Sequence, residues 1–119
     1  MNCSLFLLLN FSGNRGRGLE NLVFLELRRK GNSIWYYRTK GGYKVDFLLQ
    51  DNGESRLIQV CYDLSNVNTM SREKKALISA MKELRAETGL ILTLDEKRVE
   101  EGDNYSLHIV PVWDWLLWD

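Results

Sequence analysis

Asp46, Gln59, Cys61 and Glu20 are the residues whose types and spacing come nearest to chemistry. Tyr43-Lys44-Val45-Asp46-Phe47-Leu48-Leu49 reads as a strand, and one short turn later Arg56-Leu57-Ile58-Gln59-Val60-Cys61-Tyr62 reads as a second, buried strand. Strand alternation puts Asp46 on one face with Lys44 and Leu48, and Gln59 and Cys61 on one face with Leu57. Taking Glu20 as reference on a helical wheel, Val23, Phe24 and Leu27 fall within about 60° of it, so this carboxylate points along an apolar face. A carboxylate in such a place needs a partner or a metal. Convergence of Glu20 and Asp46 would make a site for a divalent cation or a phosphate. The plainer reading makes both structural, satisfied by Lys40, Lys44 or backbone amides, or places Glu20 at the rim against the positive helix end.

The elements that must position these residues follow from pattern. Ser12-Gly13-Asn14-Arg15-Gly16-Arg17-Gly18 is a glycine-rich break, and Leu19 to Lys30 then reads as a helix closed by Gly31. Ile34 to Arg38 is an aromatic, β-prone strand, followed by the turn Thr39-Lys40-Gly41-Gly42. Asp51-Asn52-Gly53-Glu54 joins the two strands named above through an Asn-Gly hairpin. A polar loop from Asp63 to Thr69 precedes a helix near Ser71 to Glu87, with Leu77, Ala80, Met81 and Leu84 as its apolar stripe and Gly89 as its end. Leu90-Ile91-Leu92-Thr93 reads as a central parallel strand, Asp95 to Asn104 as an acidic loop, and Tyr105 to Val112 as a last strand that Pro111 ends or marks as an edge. Trp113 to Trp118 is a terminal apolar turn or short helix, either a cap over the sheet or a docking patch. The order α-β-β-β-α-β-β-α predicts a mixed α/β (α+β) fold, a mixed sheet flanked by helices.

The bulk properties are those of one soluble domain. The 119 residues suffice for a single core. Net charge is zero, with 16 Lys and Arg against 16 Asp and Glu, so the total drives the chain toward neither nucleic acid nor membrane. The distribution is uneven: residues 1–44 hold eight cations and two acids, residues 45–119 eight and fourteen. A basic half can meet phosphates, although pairing with the acidic half of the same fold explains it as well. Two cysteines, Cys3 and Cys61, give no disulfide framework and suit the cytoplasm. Cys61 reads as a small buried hydrophobe before it reads as a reactive thiol. The single His108 has no visible nucleophile beside it, and no zinc-type spacing occurs. The apolar run at residues 5–9 is too short for a membrane span.

In order and spacing, Gly16-Arg17-Gly18-Leu19-Glu20-Asn21-Leu22-Val23, Tyr36-Tyr37-Arg38-Thr39-Lys40, Val45-Asp46-Phe47, Ile58-Gln59-Val60-Cys61-Tyr62, the Arg72-Glu73 helix start and Val110-Pro111-Val112-Trp113 resemble one architecture. It is the C-terminal domain of a family of uncharacterised prokaryotic AAA-type ATPases, of the restriction-endonuclease-like PD-(D/E)xK superfamily. The resemblance covers residues 16–118 and implies a single nuclease-like domain over 16–119, with 1–15 as an N-terminal extension or the remnant of a preceding element. In such families a helical acid, an Asp on the second strand and an acidic-x-Lys pair on the third bind Mg²⁺ or Mn²⁺. By position Glu20 and Asp46 are kept, Gln59 stands for the second acid and Cys61 for the Lys. A neutral amide is a poorer ligand for a hard cation than a carboxylate, and a thiol cannot orient the attacking water and hold developing negative charge as a Lys does. One such contact is worth roughly 10²–10³ in rate, so losing both should remove several orders of magnitude.

The chain also has no G-x-x-x-x-G-K-[S/T] phosphate loop. The resemblance therefore implies a catalytically inactive nuclease-fold domain acting in recognition or assembly. It would have no cofactor beyond Mg²⁺ or Mn²⁺, an AAA-type ATPase module or another protein as partner, DNA as a further target, and homo-oligomers as an open alternative. The competing readings are a weak metal-dependent nuclease on DNA using Glu20, Asp46 and Asp63, and a protein-interaction domain that never touches nucleic acid.

Overall fold

The computed structural model describes residues 15–62 and 66–118. Cys3, the apolar run at 5–9 and Asp63 lie outside the described residues. The elements in chain order are α1 (Arg15–Arg29), β1 (Trp35–Arg38), β2 (Lys44–Asp51), β3 (Glu54–Val60), α2 (Val67–Leu84), β4 (Thr88–Thr93), β5 (Arg98–Gly102), β6 (Tyr105–Pro111) and α3 (Val112–Trp115). The strands form one mixed sheet in the order β1-β2-β3-β4-β6-β5. β1, β2 and β3 are an antiparallel meander. The chain then crosses over through α2, and β4 lies parallel to both β3 and β6. β5 closes the far edge antiparallel to β6.

Each face of the sheet has its own core. Leu19, Leu22, Val23 and Leu27 of α1, with Val112 and Trp115 at α3, pack on Phe47, Leu49, Ile58, Leu92 and Val110. On the opposite face Met70, Leu77, Ala80 and Met81 of α2 pack on Val45, Leu48, Leu57, Ile91, Leu107 and Ile109. The strands that fill both cores read as apolar runs because both faces are covered. The Asn52-Gly53 turn has positive φ at both residues, as a two-residue hairpin matched to strand twist requires. α1 ends as its sequence predicts. Gly31 takes φ +84, its N–H donates to Arg28 O, and the Asn32 N–H donates to Leu27 O, a Schellman closure.

Four expectations are corrected. α1 begins at Arg15, inside the glycine-rich stretch read as a break. α2 begins at Val67, four residues earlier than expected, because the Asn66 side chain caps it by accepting from the Thr69 N–H at 3.1 Å. It also ends earlier, at Leu84, with Arg85 in the left-handed conformation. Gly89 instead lies in β4, where a Cβ would stand 2.8 Å from Met81 Sδ and 2.9 Å from Leu77 Cδ2, so its bare Cα lets the strand approach the helix. Finally, the acidic stretch 95–104 contains β5, whose pairing along β6 makes β6 an inner strand that Pro111 ends.

Candidate functional site

The sheet is irregular where β2 passes β1. Trp35 pairs with Leu48 but Tyr37 pairs with Val45, so β2 carries an extra residue there. Val45 and Leu48 both face α2 while Phe47 faces α1, and the strict alternation expected around Asp46 is interrupted. On the other side the β2–β3 register pairs run from Phe47↔Ile58 toward the turn, and before that point side chains bridge the two strands. The Asp46 N–H donates to Gln59 Oε1 at 2.8 Å. Gln59 Nε2 donates to Lys44 O at 3.2 Å and to Glu73 O of α2 at 3.4 Å. The Val60 N–H donates to Asp46 Oδ2 at 2.9 Å. Gln59 is fully buried, and its amide ties β2, β3 and α2 together at the point where the ladder ends.

Carboxylates gather at this opening. Burial is the main cause that pushes the Asp46 carboxyl up from 3.8 to about 6; the Val60 N–H opposes it, nearby Glu20 adds to it, and Lys44 opposes it. Burial likewise raises Glu73 from 4.5 to about 7, helped by Asp46 and Glu20 and opposed by Arg72 and Lys44. The structure thus brings together two of the sequence candidates, Glu20 from α1 and Asp46 from β2, as charges that feel each other, and adds Glu73 from α2. Glu73 was legible in principle. With Met70, Leu77 and Ala80 it occupies the i, i+3, i+7 stripe of α2, a carboxylate on an apolar face. Lys44 is the cation whose charge acts on both Asp46 and Glu73.

Cys61 does not join them. Its side chain is buried in the α2-side core, its N–H donates to Leu92 O, and its thiol is in no disulfide. His108 is exposed on β6, lining a shallow hollow of about 290 Å³ on the sheet with Arg56, Leu90 and Trp118. Glu26 is a buried acid that sequence reading missed, paired in bidentate fashion with Arg29 at 2.7 and 2.9 Å; it is a helix-surface pair rather than part of the site. Among the described residues no three Asp, Glu, His or Cys side chains converge closely enough to hold a metal ion. The donor set explains this locally. The Gln59 oxygen is committed to the Asp46 amide and one Asp46 oxygen to the Val60 amide, so the positions that the nuclease resemblance would give to Mg²⁺ or Mn²⁺ serve as struts, and the residues as arranged do not fit the cation.

A three-layer α/β/α domain with a carboxylate-lined split between β2 and β3 is what the chain presents. Residues 15–115 match the model of DUF4143, a domain of unknown function, and the chain belongs to that family. Its sequence is 43% identical, over an alignment of 119 positions, to the uncharacterized protein MJ1544 of Methanocaldococcus jannaschii. The alignment covers 92% of this chain and 26% of that relative, so the chain spans about a quarter of its length. No described helix is long and apolar enough to cross a membrane.

Proposed function

We propose that this domain is a non-catalytic, nuclease-fold module of an AAA-type ATPase family protein, acting in recognition or assembly. The observation that supports it best is the bonding of Gln59. Two of its three contacts are donations to the carbonyls of Lys44 and Glu73, which an ionised carboxylate cannot make. The amide is therefore built into the fold where a metal-binding acid would stand. The burial of Cys61 in an apolar core, where the lysine that orients the attacking water would stand, supports the same reading. The match to DUF4143 and the much longer archaeal relative are compatible with a domain carried by a larger protein. A cleavage assay on labelled single- and double-stranded DNA with Mg²⁺ or Mn²⁺ tests it. The wild-type chain should cut no faster than Asp46→Asn, and cleavage that disappears in that variant would defeat the proposal.

One observation favours a second reading, a weak metal-dependent nuclease. Glu20 raises the proton affinity of Asp46, and both raise that of Glu73, with Lys44 beside them; three acids with a cation are groups that metal-assisted hydrolysis uses. It requires Asp46 to release the Val60 N–H, which is why the first reading is preferred.

A further inference from the structure

We infer that the β1–β2 hairpin is a binding surface for single-stranded nucleic acid, with Tyr36 stacking on a base and Arg38 and Lys44 meeting the flanking phosphates. Among the described residues β1 is the outermost strand of the sheet. Its aromatic rings are not core residues: Trp35 is 53% exposed and Tyr36 64%. Arg38 lies directly across from Lys44, and alternation puts Tyr36 on the same face as Arg38. The Lys44 ammonium stands 5.6 Å from the centre of the Tyr36 ring. One open face of the hairpin thus carries a ring and two cations. Beyond it the pattern repeats, with Lys75 5.4 Å from the Tyr43 ring.

Charge complementarity points to a polyanion. Between Glu26 and Asp46 the sequence contains no acid, while Arg28, Arg29, Lys30, Arg38, Lys40 and Lys44 all fall there. Three carboxylates at the Arg38–Lys44 end of the hairpin are engaged or lie inward. Glu83 accepts from the Tyr37 hydroxyl and the Lys40 N–H, and Asp46 and Glu73 sit in the split behind Lys44. Exposed rings next to cations suit unpaired bases, whose faces are free to stack, better than a duplex, whose bases are stacked already. The inference rests on the reading above only in taking the domain as a recognition module, and it needs no metal.

The test is fluorescence anisotropy of a labelled oligothymidine of about 16 nucleotides with the whole 119-residue chain, in EDTA. Binding is expected to fall with salt, to weaken about 5- to 100-fold in Tyr36→Ala, and to lose about 0.7 from the log–log salt slope in Arg38→Gln. Both side chains are exposed, and circular dichroism of each variant checks that the fold is kept. No anisotropy change at about 100 µM protein overturns the inference, as does unchanged affinity in Tyr36→Ala or equal affinity for a duplex. Cleavage of the same oligonucleotide on adding Mn²⁺, lost in Asp46→Asn, would sink the non-catalytic reading while leaving the binding surface standing.

Discussion

Gln59 is an amide because it must both donate and accept: it accepts from the Asp46 N–H and donates to the carbonyls of Lys44 and Glu73. Replacing it by Glu would strip both carbonyls of a donor and set a further negative charge, fully buried, beside Asp46 and Glu73. An unsatisfied buried polar group costs about 1–3 kcal/mol and an uncompensated buried charge more. Gln59→Glu should therefore lose about 3 kcal/mol at pH 8 and recover part of it at pH 5, where the new carboxyl can protonate; urea denaturation at the two pH values reads this, and a loss below about 1 kcal/mol at pH 8 would remove the strut. Asp46 gives the complementary case. A carboxyl that titrates near 6 in the fold, against an ordinary 3.8, binds its proton more tightly when folded. Its stabilising contribution is complete below about pH 4 and lost as pH rises through about 6. Glu73, raised to about 7, extends the loss to neutral pH. Asp46→Asn keeps an oxygen to accept from Val60, so it should be the more stable protein at pH 8 by about 1–2 kcal/mol and show a flatter pH profile. A variant less stable than wild type at pH 8 would mean that ionised Asp46 holds the split together.

The elements were legible where pattern and turn chemistry agree. The Asn-Gly hairpin, the Gly31 helix end and the apolar β4 all lie where the residues put them, because each is decided by local physics. The misplaced parts are those decided by neighbours. β5 holds Arg98, Glu100 and Glu101 around an exposed Val99, a charged edge strand that looks like loop until β6 lies beside it. Lys74 of α2 pairs with Glu100, and Lys97 with Asp114 at 2.8 Å, which ties this edge to the rest. The extra residue in β2 at Asp46 was equally invisible, since a bulge is fixed by the partner strand. Gly89 looked like a helix end because glycine commonly is one, whereas here it is a clearance. Gly89→Ala should lose about 1–3 kcal/mol by crowding Met81 and Leu77; a thermal or urea transition unchanged from wild type would show that those side chains move aside freely.

Over the whole molecule the two cores hold α1 and α2 against opposite faces of one sheet, and the split between β2 and β3 is where Glu20 of α1 acts on Asp46 and both act on Glu73 of α2. Its chemistry is a property of the assembled layers, which is why Asp46 was found from one strand but Glu73 was not. The same assembly leaves the basic hairpin at one edge of the sheet and an acidic strand at the other, so a chain of zero net charge still offers a directional surface. Trp115 is buried as a cap on the sheet while Trp113 and Leu117 remain exposed beside it, so the terminal apolar segment both covers the core and presents an apolar rim. We propose that the split is bonded shut as structure rather than poised to take a cation. Isothermal calorimetry of Mn²⁺ into the chain, with Asp46→Asn in parallel, tests this most directly. No saturable heat is expected in either protein at pH 7.5, and saturable binding that vanishes in Asp46→Asn would contradict the proposal.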